Sequence, residues 1–242
     1  APMKSGFQTD LKAFSDILKK DTTKKIRLIF LPNPNNPTGT YIKDQEVQEF
    51  LKEFGNDPER LIIFDEAYTE YVRAKDYASA LKYFNQYQNV VCIRTLSKAY
   101  GLAGLRIGVL IAPEFVIDFF NRVRNPFNVN EFAQVAAIHA LQDDDFISKS
   151  VENNHRGLDF FYENFRQMKV TYIESQANFV MFDTERDIQL VNELLLRRGV
   201  ILRPVGNYGF PTHLRLSVGL PEENQVAILA LKEVLKEVAT KK

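Results

Sequence analysis

The sequence predicts an α/β fold, a mostly parallel sheet flanked by helices, followed by a smaller C-terminal α+β domain. Two observations lead there. Short apolar runs without polar alternation recur at residues 26–31, 61–64, 90–93 and 107–111, the pattern of strands covered on both faces. Between the first of them stand segments whose apolar residues fall at helical spacing, so the rhythm up to about residue 111 is strand and helix in turn.

Taken in order, Leu11, Phe14 and Leu18 share one helix face behind Thr9 or Asp10 as a cap. The run at 26–31 is stopped by Pro32-Asn-Pro-Asn-Asn-Pro-Thr-Gly39. Asp44 is placed to cap a helix bearing Val47, Phe50, Leu51 and Phe54. After Phe127 the pattern changes. Helices are expected at 131–141, 146–167 and 187–198, with strands at 178–182, 200–202 and 213–218. A last helix starts at Pro221, where Glu222 and Glu223 suit its positive end. The expected division is a large domain over 1–130, then linking helices and the small domain over 131–242.

Composition narrows the function. The chain has 242 residues, 45% of them hydrophobic, which excludes disorder and lets roughly 70% of the unfolded surface be buried. Lys+Arg and Asp+Glu both number 31, a balance that argues against nucleic-acid or polybasic membrane partners. No apolar run approaches the ~20 residues of a membrane span. The first ten residues lack the basic-then-apolar pattern of a secretory signal, so a cytoplasmic protein is expected. One cysteine, Cys92, and three scattered histidines leave no metal site in view.

In open parallel sheets ligands bind beyond the carboxyl ends of the strands. Residues 26–31 lead into the Asn-Pro-rich turn, 61–64 into Asp65-Glu-Ala-Tyr68, and 90–93 into Arg94-Thr-Leu-Ser-Lys-Ala-Tyr-Gly101. Three strands thus deliver an amide, an acid with a phenol, and a lysine with hydroxyls to one rim. Singly, each has a plain structural use: a turn, a helix cap, a solvated lysine. Cys92, His139, His155 and His213 read as packed or half-exposed structural residues.

Together the segments resemble a known family. Arg94-Thr-Leu-Ser-Lys-Ala-Tyr-Gly-Leu-Ala-Gly-Leu-Arg106 is similar to the cofactor-lysine motif of the fold-type I pyridoxal-phosphate aminotransferases. With Asn33-Pro-Asn-Asn-Pro-Thr-Gly39, Asp65-Glu-Ala-Tyr68, Arg124-Asn-Pro-Phe-Asn-Val-Asn130, Ala177-Asn-Phe-Val180 and Leu214-Arg-Leu-Ser-Val-Gly219, the chain resembles the histidinol-phosphate aminotransferases, in the class II branch. Aromatic aminotransferases and a threonine-phosphate decarboxylase share much of this pattern.

The resemblance implies roles. Lys98 would bind pyridoxal 5'-phosphate covalently and later move a proton, since lysine can be both nucleophile and base. Asp65 would pair with the pyridine nitrogen and keep the ring an electron sink. Asn36 and Tyr68 would donate to the ring's 3-oxygen. Thr95, Ser97 and Arg106 would hold the phosphate, with Gly101, Gly104 and Gly108 allowing close approach. Arg215 would bind the substrate carboxylate and Arg203 a second anion, with Asn178 and Tyr208 on the substrate side. The implied reaction moves an amino group between L-histidinol phosphate and 2-oxoglutarate, giving imidazole acetol phosphate and L-glutamate in histidine biosynthesis. The implied partners are a small-molecule amino donor, a 2-oxo acid and, in a homodimer, a second subunit.

The resemblance begins partway into the family's pattern. Its N-terminal arm, the first part of its large domain and a glycine-containing helix start that feeds N–H groups to the phosphate have no counterpart in these 242 residues. A cofactor-free folded remnant or interaction module is the competing expectation.

Overall fold

A computed structural model describes residues 1–240. Two compact units emerge, one of residues 1–35 and 41–148, the other of residues 36–40 together with the chain from Lys149 on. The sequence reading put the change at 130/131. The helix after that point stays with the first unit, and a five-residue loop from the Asn-Pro-rich turn goes with the second.

The first unit opens with a small antiparallel pair, β1 (Met3–Lys4) and β2 (Gln8–Thr9). Helix α1 (Leu11–Lys20) follows, and the Asp10 carboxylate accepts the Ala13 N–H at its start. The main sheet has the order β3 (Leu28–Pro32), β4 (Leu61–Asp65), β5 (Val90–Thr95), β6 (Gly108–Ile111). The first three strands are parallel and β6 is antiparallel to β5. Helix α2 (Asp44–Phe54) lies between β3 and β4 in sequence, and α3 (Glu114–Val123) and α4 (Glu131–Ala140) follow β6.

One face of this sheet is deeply packed. Leu11 and Leu18 of α1 and Val47, Phe50, Leu51 and Phe54 of α2 cluster with Ile29, Leu31, Ile62, Phe64 and Val90. The apolar stripe on α2 is therefore the reason the helix sits where it does. The other face carries a smaller cluster of Ile63, Val91 and Val116. Coverage on both faces, expected for every apolar run, holds for β4 and β5 but neither for β6, where Val109 is exposed, nor for β3. There Leu28 and Phe30 are 52% and 56% exposed. Asp44 also differs from expectation: it is the first residue of α2 rather than its cap. Its carboxylate is engaged elsewhere, accepting from Lys82 Nζ at 2.6 Å and Tyr83 Oη at 2.5 Å.

A buried arginine ties the end of α1 and the segment before β3 to the turn before β4. Arg60 donates to the Ile26, Leu18 and Asp21 carbonyls and pairs with the Asp21 and Asp57 carboxylates at 3.1 Å. Lys24 also reaches Asp57.

In the second unit the sheet is wholly antiparallel, in the order β7 (Thr171–Ile173), β8 (Phe179–Asp183), β10 (His213–Ser217), β9 (Arg203–Pro204). Helices α5 (Asp144–Met168), α6 (Ile188–Arg197) and α7 (Pro221–Thr240) supply the rest of its core. Phe161 and Phe165, Val180 and Phe182, Val191 and Leu195, Leu214, and Leu231 and Val234 form one cluster. A strand was expected at 200–202, yet pairing begins only at Arg203. The Val200 N–H instead closes the end of α6 on the Leu195 carbonyl, after Gly199 at φ +75°. Val200 and Leu202 are held by core packing, not by a ladder.

Among the described residues no helix is long and apolar enough to cross a membrane.

Truncating a fully buried ring in the second core, Phe182→Ala, is expected to cost roughly 3–5 kcal/mol in denaturant titration, because both transfer and cavity terms are lost. Acid sensitivity follows from the first unit. The Lys24 ammonium, against some desolvation, and then the Glu59 amide and Arg60 hold the Asp57 carboxyl below its usual range. A depressed carboxyl stabilises the fold above its unfolded value and loses that contribution as pH falls through the folded one. The contribution of Asp57 should therefore be flat above about pH 5 and fall away below about pH 4, so the acid-side loss of stability should be shallower in Asp57→Asn.

Candidate active site

The parallel register brings strand ends level. Pro32 pairs with Asp65, and Asp65 with Ile93, so the residues that follow β3, β4 and β5 emerge on one edge. The Asn33 N–H donates to the Asp65 carbonyl at 2.9 Å and the Glu66 N–H to the Ile93 carbonyl at 2.9 Å, extending the ladder one step past each strand.

Asp65 is exposed at that edge, and its carboxylate accepts the Ala67 N–H at 3.2 Å. Tyr68, three residues on, is buried. Lys98 leaves the end of β5 within a turn closed by Gly101 N–H to Lys98 carbonyl at 3.0 Å and Leu102 N–H to Leu96 carbonyl at 2.9 Å. Gly101 sits at φ +72°, where a side chain would be strained and would press on Phe146. The Lys98 ammonium lies 5.7 Å from the centre of the Tyr68 ring, inside cation–π range. The sequence expected the lysine and the phenol near each other, and they are.

Thr95, Ser97 and Arg106 also converge. The Ser97 N–H donates to Thr95 Oγ1 at 3.1 Å, and Arg106 Nη1 donates to Ser97 Oγ at 3.4 Å and to the Ala103 carbonyl at 2.9 Å. Arg106 takes a left-handed backbone at φ +54°, a conformation uncommon for a side chain of its size. Two hydroxyls and a guanidinium make a set suited to a phosphate. Gly108 closes the loop where a Cβ would lie 2.7 Å from the Arg94 carbonyl oxygen.

The remaining expected residues belong to the second unit. Arg215 on β10 is the register partner of Arg203 on β9, so two guanidiniums rise from directly opposed positions. Arg215 Nη1 donates to Asn36 Oδ1 at 2.7 Å, and its guanidinium stands 4.9 Å from the centre of the Phe179 ring. Its Nε is buried without a partner. Like charges directly opposed across a ladder repel, and an unpaired buried donor adds to the cost. An anionic ligand relieves both. Segment 36–40 is held by the Gln176 N–H on the Gly39 carbonyl at 2.8 Å, with Gly39 at φ +74° packed so tightly that a Cβ would strike Ser175. Asn178 is half-buried just before β8, its carbonyl taken by the Val218 N–H. Tyr208 is exposed in a 3-10 turn, Gly206–Tyr208.

Two residues were quoted within motifs but given no role. Glu66 and Arg94 form an ion pair at 3.0 Å, with Glu66 wholly buried. Parallel register was the signal that would have found them, since Glu66 follows Asp65 and Arg94 follows Ile93, and Asp65 and Ile93 are paired. Burial, then the Glu66 charge, pushes the Cys92 thiol up to about 12, which removes it as a nucleophile. Among the described residues no group of three His, Cys, Asp or Glu side chains converges as a metal ion requires.

An α/β sheet with an exposed lysine in the turn after β5, an acid at the end of β4 and a hydroxyl–guanidinium cluster is the layout expected of the fold-type I pyridoxal-phosphate class. The chain belongs to the family "Aminotransferase class I and II", whose model matches residues 2–231. A histidinol-phosphate aminotransferase of Bdellovibrio bacteriovorus is 58% identical over 98% of the chain and 64% of its own length. Another, from Caldicellulosiruptor saccharolyticus, is 44% identical over 97% of the chain and 63% of its own length. The solved histidinol-phosphate aminotransferase of Sinorhizobium meliloti, in complex with pyridoxal-5'-phosphate, superposes with a TM-score of 0.88 at 26% identity, over 98% of this chain and 64% of that one. The chain therefore spans just under two thirds of the length of these relatives.

The opposed arginines predict anion-dependent stabilisation. At constant ionic strength, phosphate several-fold above its dissociation constant should raise unfolding free energy by about 1 kcal/mol. Arg203→Gln should remove the part of that gain carried by this pair, with little loss in chloride buffer. Thermal denaturation with and without phosphate checks both.

Proposed function

We propose that the chain serves transamination between L-histidinol phosphate and 2-oxoglutarate, with pyridoxal 5'-phosphate as cofactor. The names of these relatives support this reading, and the observation that carries it is the directly opposed pair Arg203 and Arg215. Glutamate brings carboxylates and histidinol phosphate brings a phosphate. Two arginines facing one another can meet either in alternate half-reactions, because a guanidinium fork matches both groups.

When bound, the cofactor supplies an electron sink for the pair left on the carbon that loses its proton. The chain's own residues supply the rest. Lys98 is the amine that attaches the cofactor and, once displaced, the base that moves the proton at the carbon bearing the amino group. Asp65 offers a carboxylate to the ring nitrogen and so favours its charged form. Thr95, Ser97 and Arg106 hold the phosphate. Tyr68 and the amide nitrogen of Asn36 donate toward the ring's 3-oxygen, the Asn36 carbonyl oxygen being occupied by Arg215.

The chain is further proposed to act in the cytoplasm on small molecules, as a homodimer with neither nucleic acid nor membrane among its partners. Support for the dimer comes from α3 and α4, which expose Phe119, Val123, Phe132 and Ile138, a large apolar display for a free surface.

Addition of pyridoxal phosphate should produce a visible absorption band. Borohydride reduction should then leave the label on Lys98 by peptide mass spectrometry. Lys98→Ala should lose both, and Asp65→Asn should lower turnover by about 100-fold or more. Imidazole acetol phosphate and glutamate are the expected products. A label on another lysine, or released carbon dioxide in place of the ketone, overturns the assignment.

A further inference from the structure

The face of the sheet opposite Asp65 holds a polar cluster that transamination as described does not use. Successive strand residues point to opposite faces, so Glu66 turns inward where Asp65 turns out. Its carboxylate accepts four hydrogen bonds: from Ser79 Oγ at 2.7 Å, the Ala80 N–H at 2.5 Å, and Arg94 Nε and Nη2 at 3.3 and 3.0 Å. Arg94 Nη2 also donates to Ser79 Oγ at 2.9 Å. Three elements meet there: the end of β4, the end of β5, and the start of the 3-10 turn Ala80–Tyr83.

Its place in the chain is what gives this cluster meaning. Glu66 follows Asp65 directly, and Arg94 immediately precedes Thr95 in the segment leading to Ser97 and Lys98. The pair spans the two strand ends one residue away from the groups assigned to the cofactor. Backbone bonds clamp the same point, with the Glu66 N–H on Ile93 and the Asp65 carbonyl under the Asn33 N–H. Stability alone does not require an ion pair here, since apolar side chains of equal volume hold a fold as well or better. A charged fork with fixed geometry instead sets the spacing of what it joins.

We propose that Glu66 and Arg94 are positioning residues, an ion pair beneath the rim that holds Asp65 and residues 95–98 at the spacing the cofactor needs. This rests on the pyridoxal-phosphate reading above.

The test compares three variants with the parent chain. Glu66→Gln keeps the shape and one acceptor oxygen but loses the charge, and Arg94→Lys keeps the charge but loses the fork. Val47→Ala, a cavity in the α2 packing, lowers thermal stability without touching the cluster. For each, the midpoint of thermal unfolding, the dissociation constant for pyridoxal phosphate and the visible circular dichroism per bound cofactor are measured. The dichroism reports how the ring is held. Glu66→Gln and Arg94→Lys should weaken cofactor binding about tenfold and diminish the dichroism, while Val47→Ala leaves both unchanged. If Glu66→Gln fails to fold, Arg94→Lys is read by the same criteria. Parent-like affinity and dichroism in the folded cluster variants, or an equal loss in Val47→Ala, overturns the proposal alone. A parent chain with no visible band on adding pyridoxal phosphate overturns the cofactor reading, and this inference with it.

Discussion

Parallel pairing of β3, β4 and β5 in one register is the constraint on which the first unit's chemistry depends. Pro32, Asp65 and Ile93 stand side by side across the ladder, so whatever follows each strand arrives at the same edge. A slip of one residue would turn Asp65 into the sheet and Glu66 out of it. Burial prevents that slip. Phe64 and Ile62 on β4 fill one packed face and Ile63 the other, and both faces would have to open together. The apolar residues that never touch a ligand are thus the ones that aim the polar ones.

The second unit works by the reverse logic. Its antiparallel sheet is stabilised mainly on the side of Val180, Phe182, Leu214 and Leu216, where three helices supply the core. That packing holds β9 and β10 together although Arg203 and Arg215 oppose each other. Repulsion between them and the unpartnered Nε of Arg215 are local costs carried by a large apolar cluster. Such a local violation is the feature on which the proposed anion site rests.

Much of this was legible beforehand. The strands at 61–64 and 90–93 and the helices at 131–141 and 187–198 appear where apolar spacing put them, within the usual fraying of a residue or two. The misreadings share a cause. Residues 200–202 are apolar enough for a strand, yet Val200 serves the C-terminal closure of α6, and apolar character alone does not distinguish packing from pairing. Asp44 looks like a cap because carboxylates often are, but Lys82 and Tyr83 claim it from another part of the chain. Exposed Leu28 and Phe30 on β3 show that an unbroken apolar run does not guarantee two covered faces.

What the sequence determined by itself was the chemistry available: an acid, a lysine and hydroxyls following apolar runs of strand length, with arginines beside or within such runs. Periodicity and local turn residues act over a few neighbours, so they can be read along a single chain. Only the tertiary structure decided which of these residues meet. Lys98 stands beside Tyr68, Arg215 faces Arg203 and reaches Asn36 across 179 positions, and buried Glu66 finds Arg94 beneath the rim. Those encounters are set by strand order and register, which arise from the packing of distant segments and leave no mark in any one stretch of sequence.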